Sequence, residues 1–235
     1  MVEGRQVTPP EPVTAIVVDE AGQPLRGVAV NAFMGDAAVT GADGRFELKT
    51  PWPTMRLVVD GYVPATRLTA TVRTSGRVVL VAARARPTVL PRCGPQHSIK
   101  PGIGDLRVPT FPKARRSQGE DIDYQTESWI YKGTELLHGW GTMWSGGLPS
   151  PETLATLRSI EERDVRTPTA GGDDPFVGLI ADVRGVQPDG RRFRFVGEML
   201  ETFHYRDASP EVAAYFDRML DAMCYLEPVF SGPKP

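Results

Sequence analysis

Glycine and proline punctuate this chain so densely that few long elements can form. Of its 235 residues, 24 are glycine and 22 are proline. The longest wholly apolar run, Val78–Ala83, is only six residues. A membrane-crossing helix needs roughly 20 apolar residues in a row, so no transmembrane segment is expected. The pattern favours short strands joined by turns. A 40 % apolar composition is enough to build a core and argues against a disordered tail. The length admits one large domain or two ordinary ones. With 27 basic and 29 acidic side chains the net charge is −2, so no electrostatic footprint points to nucleic acid as a partner.

Residues 12–83 carry the strand pattern most openly. Thr14–Asp19 runs into the turn residues Glu20–Pro24, and Val28–Phe33 follows. Ala37–Thr40 and Arg45–Lys49 flank a loop ending in Gly44, where glycine takes positive φ without steric cost. Met55–Asp60, Arg67–Thr74 and Arg77–Ala83 complete a set of strands without helical periodicity. Spacing of this kind predicts an all-β sandwich. The stretches VVDEAGQPLRGVAV, AVTGADGRFEL and RLVVDGYVPATRL resemble the successive motifs of the carboxypeptidase regulatory-like domain, a transthyretin-like (prealbumin-like) sandwich. The resemblance implies an accessory domain without catalytic residues, of a kind attached to peptidases, outer-membrane receptors and secreted proteins. Related folds include starch-binding modules.

Residues 1–11 and 229–235 are expected to be flexible ends. Residues 84–92 (RARPTVLPR) read as a linker, and 93–228 as a second, α+β domain. There, Ile122–Tyr131 and Thr134–Trp140 form a hairpin about Lys132-Gly133. That register sets Trp129 opposite Leu136, Glu127 opposite His138 and Gln125 opposite Trp140. Ser150-Pro151-Glu152 has the chemistry of a helix start. That helix either stops within two turns or runs to Arg163, and Ile160–Thr167 is read as a strand. Val177–Val186 and Arg191–Tyr205 read as long strands, with Phe193, Phe195, Gly197, Met199 and Phe203 on one face of the second. A three-residue loop, Pro188-Asp189-Gly190, pairs Val183 with Phe195, Leu179 with Met199 and Arg184 with Arg194. Ser209–Tyr225 reads as a helix capped by Ser209 and opened by Pro210, with Val212, Phe216, Met219, Leu220 and Met223 on one stripe. The arrangement is a twisted antiparallel sheet with a packed C-terminal helix. Its element order resembles the PsbP-like α/β sandwich.

Cys93 and Cys224 stand at either end of this second region, and a disulfide between them favours an oxidising compartment. The alternative is two unrelated thiols. Neither a C-x-x-C pair nor a ligand-spaced histidine pair accompanies them, so no metal and no cofactor is expected. The histidines are His97, His138 and His204, and neither H-E-x-x-H nor G-x-S-x-G occurs. Glu161-Glu162 and Asp173-Asp174 are sequence neighbours, which on a strand point to opposite faces. Arg184, Arg192 and Arg194 with Asp182 and Glu198 read as a solvated charge ladder.

The candidate ligand surface is Trp144, in the glycine-rich Gly139–Pro149 loop, with Trp140 and His138 at its base and Glu127 and Trp129 beside them. Indole faces with an acid–imidazole pair suit a sugar ring or a peptide. The competing reading makes Trp129 and Trp140 core and Glu127–His138 a cross-strand pair. The expectation is a non-catalytic exported binding or interaction protein of the bacterial cell envelope, secreted or periplasmic, whose signal peptide is not part of this sequence. Its partner would be a glycan, a peptide or another envelope protein. The alternative is a hydrolase with its active site in a cleft of the second region.

Overall fold

The computed structural model describes residues 11–32, 36–50, 52, 54–82, 88–94, 106–109, 113–120, 123–141, 147, 149, 153–154, 156–167, 179–197 and 201–226. It is mostly strand, and the chain divides into two compact units, Met1–Arg86 and Pro87–Pro235.

In the first unit, β1 (Val13–Val18), β4 (Arg45–Leu48) and β7 (Arg77–Val79) form one sheet in the order β4-β1-β7. A second sheet holds β2 (Ala29–Ala32), β3 (Ala37–Val39), β5 (Thr54–Val58) and β6 (Ala65–Leu68) in the order β3-β2-β5-β6. Alternation along β1 buries Val13, Ala15 and Val17, which share one core with Val30, Met55 and Leu57 of the other sheet. Gly44 sits where only glycine fits. Its φ is 73°, and a Cβ there would meet the Val17 carbonyl oxygen at 2.6 Å.

One expectation for this unit fails. The stretch Arg67–Thr74 is not a single strand, because α1 (Thr69–Ser75) follows β6 directly and ends at Gly76 with φ 61°. Its buried Thr69 and Val72 are spaced by one helical turn. The β-branched residues of the stretch disguise that period as strand propensity.

In the second unit an eight-stranded sheet is assembled from β8 (Thr88–Val89), β10 (Arg115–Glu120), β11 (Tyr124–Tyr131), β12 (Thr134–Gly141), β13 (Ser159–Arg166), β14 (Leu179–Val186), β15 (Arg192–Gly197) and β16 (Glu201–Ala208). Their order is β10-β11-β12-β16-β15-β14-β13-β8, antiparallel except for β13 against β8. The β11–β12 hairpin has the predicted register, including Trp129 opposite Leu136 and Glu127 opposite His138. Lys132 and Gly133 turn it with φ of 48° and 78°, as a two-residue primed turn requires. Between β14 and β15, Val183 opposes Phe195 and Arg184 opposes Arg194, the register expected of the three-residue loop.

Three readings of this region are corrected. Arg191–Tyr205 is a hairpin and not one strand, because β15 and β16 pair antiparallel with Val196 opposite Phe203. Phe203 therefore lies on the face of Val196 and Arg194, not on that of Phe193 and Phe195. The residues read as linker are in part sheet, since Thr88 pairs with Val165 and Val89 with Arg166. The last helix, α2 (Pro210–Asp221), stops before Tyr225. Beyond it, β17 (Cys224–Tyr225) pairs with β9 (Leu106–Arg107). Ser209 caps α2 as expected, its side chain accepting from the Val212 N–H. Ser159–Arg166 is a strand, as favoured; the proposed helix start at 150–152 lies outside the described residues.

Helix α2 lays Val212, Phe216, Met219 and Leu220 on Trp129, Leu136, Ile180, Val196, Phe203 and Tyr205, so the second core lies on one face of the sheet. Cys93 and Cys224 form a disulfide with Cα atoms 4.9 Å apart. No helix among the described residues is long and apolar enough to cross a membrane.

Candidate functional site

The sheet of the second unit has two faces of different character. The helix-covered face holds four of the five predicted ligand residues, and all four are buried: Trp129, Trp140, His138 and Glu127. Strand alternation brings them together as the sequence implied, but as core and not as an open surface. His138 is 1 % exposed and lies between two rings, stacked on Phe203 at 3.8 Å between centroids and tilted against Trp140 at 4.4 Å. Glu127 stands opposite His138 in register, yet its carboxylate pairs with Arg116 on β10. The imidazole partner is Glu201 instead. Its Oε1 lies 2.8 Å from His138 Nε2 and also accepts the Leu106 N–H at 3.0 Å. Burial lowers the His138 pKa against the opposing pull of Glu201, so the ring is neutral and donates to the carboxylate. The pair lies in the core, where it orients side chains.

The same face holds the arginine of the supposed charge ladder. Arg194 donates through Nε and Nη2 to the two oxygens of Asp182 at 2.8 and 2.9 Å, and through Nη1 to Asp217 on α2 at 3.2 Å. Tyr205 Oη donates to the same Asp217 oxygen at 3.0 Å. The ladder is therefore buried at its centre, a correction whose cause is the β15–β16 hairpin that brings α2 over this face. Only Arg192 of the three arginines stands exposed. Burial opposes the charge on Arg194, but the bond to Asp182 outweighs it and the pKa is raised.

The opposite face carries an open pocket. Glu135 and Leu137 of β12 and His204 and Arg206 of β16 line an open cavity of about 490 Å³, with Gly133, Thr134, Gly147 and Asp207 around it. Arg206 Nε donates to the Gly147 carbonyl at 3.3 Å. Gly147 lies close over the sheet: a Cβ there would meet His204 Nδ1 at 2.8 Å and Phe195 Cδ2 at 2.9 Å. The pairing of β15 with β16 shifts between Arg192 and Arg194, and Asp207 takes a left-handed φ of 52°. This bulge sets Arg206 and Asp207 both outward at the end of the strand. Burial, and then the neighbouring Arg206 charge, push the His204 pKa down to about 4. At neutral pH the ring offers a hydrogen bond and no charge.

The lining thus combines two carboxylates, one guanidinium, a neutral imidazole and an aliphatic side chain. That set can orient a polar ligand and cover an apolar patch on it. Trp144 lies outside the described residues, as do His97 and Asp173-Asp174; Gly147, from the same loop as Trp144, is at the cavity rim. Sequence reasoning missed Glu135, Leu137 and Arg206. The available signal was alternation on β12, which sends 135 and 137 away from the face of Leu136, His138 and Trp140. Among the described residues no cluster of histidine, cysteine, aspartate and glutamate could hold a metal ion.

No protein-family model, curated protein or solved structure matches this chain.

Proposed function

We propose that this is a non-catalytic, exported binding protein of the bacterial cell envelope, taking a glycan or a peptide in the cavity between Glu135, Leu137, His204 and Arg206. The observation that carries the reading is that cavity. Its volume, about 490 Å³, lies within the range of small-ligand sites, and its mixed polar and aliphatic lining suits hydroxyl- and amide-bearing ligands. The His138–Glu201 pair, which has the geometry of an acid–base dyad, is walled into the core, so the hydrolase alternative gains no support from it. The Cys93–Cys224 bridge supports an oxidising compartment. The two sheets of the first unit, sharing one core, are consistent with a carboxypeptidase regulatory-like, transthyretin-like accessory sandwich.

The test is an array of glycans and peptides probed with the full chain, followed by calorimetry on any hit. Leu137→Arg, which fills the cavity, and Trp144→Ala, which removes the indole of the loop that includes Gly147, should each abolish binding while the melting temperature stays nearly unchanged. Turnover of an arrayed ligand would overturn the non-catalytic reading. Binding that survives Leu137→Arg would move the site elsewhere.

A further inference from the structure

Strand β10 ends the eight-stranded sheet, and all six of its residues, Arg115 to Glu120, are exposed. An edge strand offers its outward N–H and C=O groups to any strand that can lie beside it. Charges on an edge usually discourage this, but here their order satisfies one particular pairing. A two-fold axis perpendicular to a sheet reverses strand direction and keeps each face on its own side. Residues that meet across such an axis must therefore come from the same face. Arg116, Gln118 and Glu120 share the face of their β11 partners Trp129, Glu127 and Gln125, while Arg115, Ser117 and Gly119 take the other.

Two symmetric registers align five of the six residues, one centred on Ser117 and the other on Gln118. Centring on Ser117 sets Arg116 against Gln118 and Arg115 against Gly119, and matches no charges. Centring on Gln118 sets Arg116 of each copy against Glu120 of the other, twice by symmetry, with Ser117 against Gly119 between them. Arg116 is held in place for this: it already pairs with Glu127 inside its own sheet, and its side chain remains 44 % exposed.

We infer that β10 is a homodimerisation edge, joining a second copy of this chain antiparallel about Gln118 to extend the sheet across both copies. A strand pair this short buries little area, which places the contact among weak, concentration-dependent interfaces. The Arg116–Glu120 pairs supply register more than affinity, because like charges set directly opposite would repel.

Sedimentation velocity on the full chain over a concentration series tests this, with circular dichroism confirming the fold of each variant. The wild-type protein should dimerise reversibly and less at high salt. Glu120→Arg, which leaves the Arg116–Glu127 pair untouched, and Arg116→Glu should each raise the dissociation constant more than about tenfold. An equimolar mixture of the two variants should dimerise again, since each mixed pair brings Arg and Glu back into opposition. A wild-type protein that remains monomeric at millimolar concentration overturns the proposal. So does dimerisation that persists in Glu120→Arg, or a mixture that fails to recover.

Discussion

Arg194 and Asp182 meet through two parallel hydrogen bonds, Nε to Oδ1 at 2.8 Å and Nη2 to Oδ2 at 2.9 Å, on adjacent strands of the second unit. Both side chains are almost wholly buried, at 3 % and 5 % exposure. A guanidinium fits a carboxylate in this forked geometry better than any other side chain. Because Arg194 also reaches Asp217 and Asp221 of α2, the pair ties the sheet to the helix that covers it.

Arg194→Met should therefore destabilise the second unit by up to about 3–5 kcal/mol, since it leaves buried Asp182 with only the longer, 3.4 Å contact to Arg184. Urea denaturation measures this. The double variant Arg194→Met, Asp182→Leu should recover much of the loss, because both charges are then gone. A double variant no better than the single one would show that the contacts to α2, and not the strand pair, carry the effect.

His204 gives a pH dependence whose sign follows from its folded pKa of about 4, below the ordinary 6.5. Between these values the unfolded chain binds a proton that the folded chain refuses. The stabilisation is complete above 6.5 and is lost as the pH falls towards 4. The full effect is at most roughly 3–4 kcal/mol. His138 shifts in the same direction, so His204→Asn should flatten the acid limb of the stability curve without abolishing it. An unchanged slope would mean that His204 accepts its proton inside the fold.

Thiol titration of the denatured, unreduced protein should find no free cysteine, as Cys93 and Cys224 are bonded. Reduction should lower stability by up to about 4–5 kcal/mol on the chain-entropy account, given the length of the loop closed. Paired Cys93→Ser and Cys224→Ser substitutions should reproduce the reduced midpoint. Two reactive thiols in the unreduced protein would refute the bridge and the compartment argued from it.

Gly197→Ala should cost roughly 1–3 kcal/mol, because φ there is 153° and a Cβ would meet the Glu201 carbonyl oxygen at 2.2 Å. Gly190→Ala is the comparison, also at positive φ (86°) but with nothing within 4 Å of the added carbon. Comparable losses at both positions would remove the close approach at Gly197 as the cause.

Gly197 also shows where the sequence stops being readable. The β11–β12 register can be read because Lys132-Gly133 is a turn former between two alternating stretches. The β15–β16 reversal cannot, since Glu198-Met199-Leu200 contains no turn former and Gly197 passes as one more step in the alternation of Phe193 and Phe195. Missing that reversal assigns Phe203 to the wrong face and leaves Arg194 in solvent. The candidate site follows the same logic. Trp129, His138 and Trp140 share a face by periodicity alone, but which face a distant helix covers is decided by pairings such as Val196 with Phe203. Short elements such as β8, β9 and β17 carry no period at all, and only their pairing partners define them.

The Cys93–Cys224 bond also fixes how tension would travel along this chain. A pull arriving from the first unit runs through residues 87–92 to Cys93 and crosses sulfur directly to Cys224. The 130 residues between them, which include most of the eight-stranded sheet and the cavity, lie in a covalent loop off the loaded path. Of that sheet only β8 lies on the covalent path outside the loop. Tension applied between the two ends of the chain would thus bypass the strands that line the cavity.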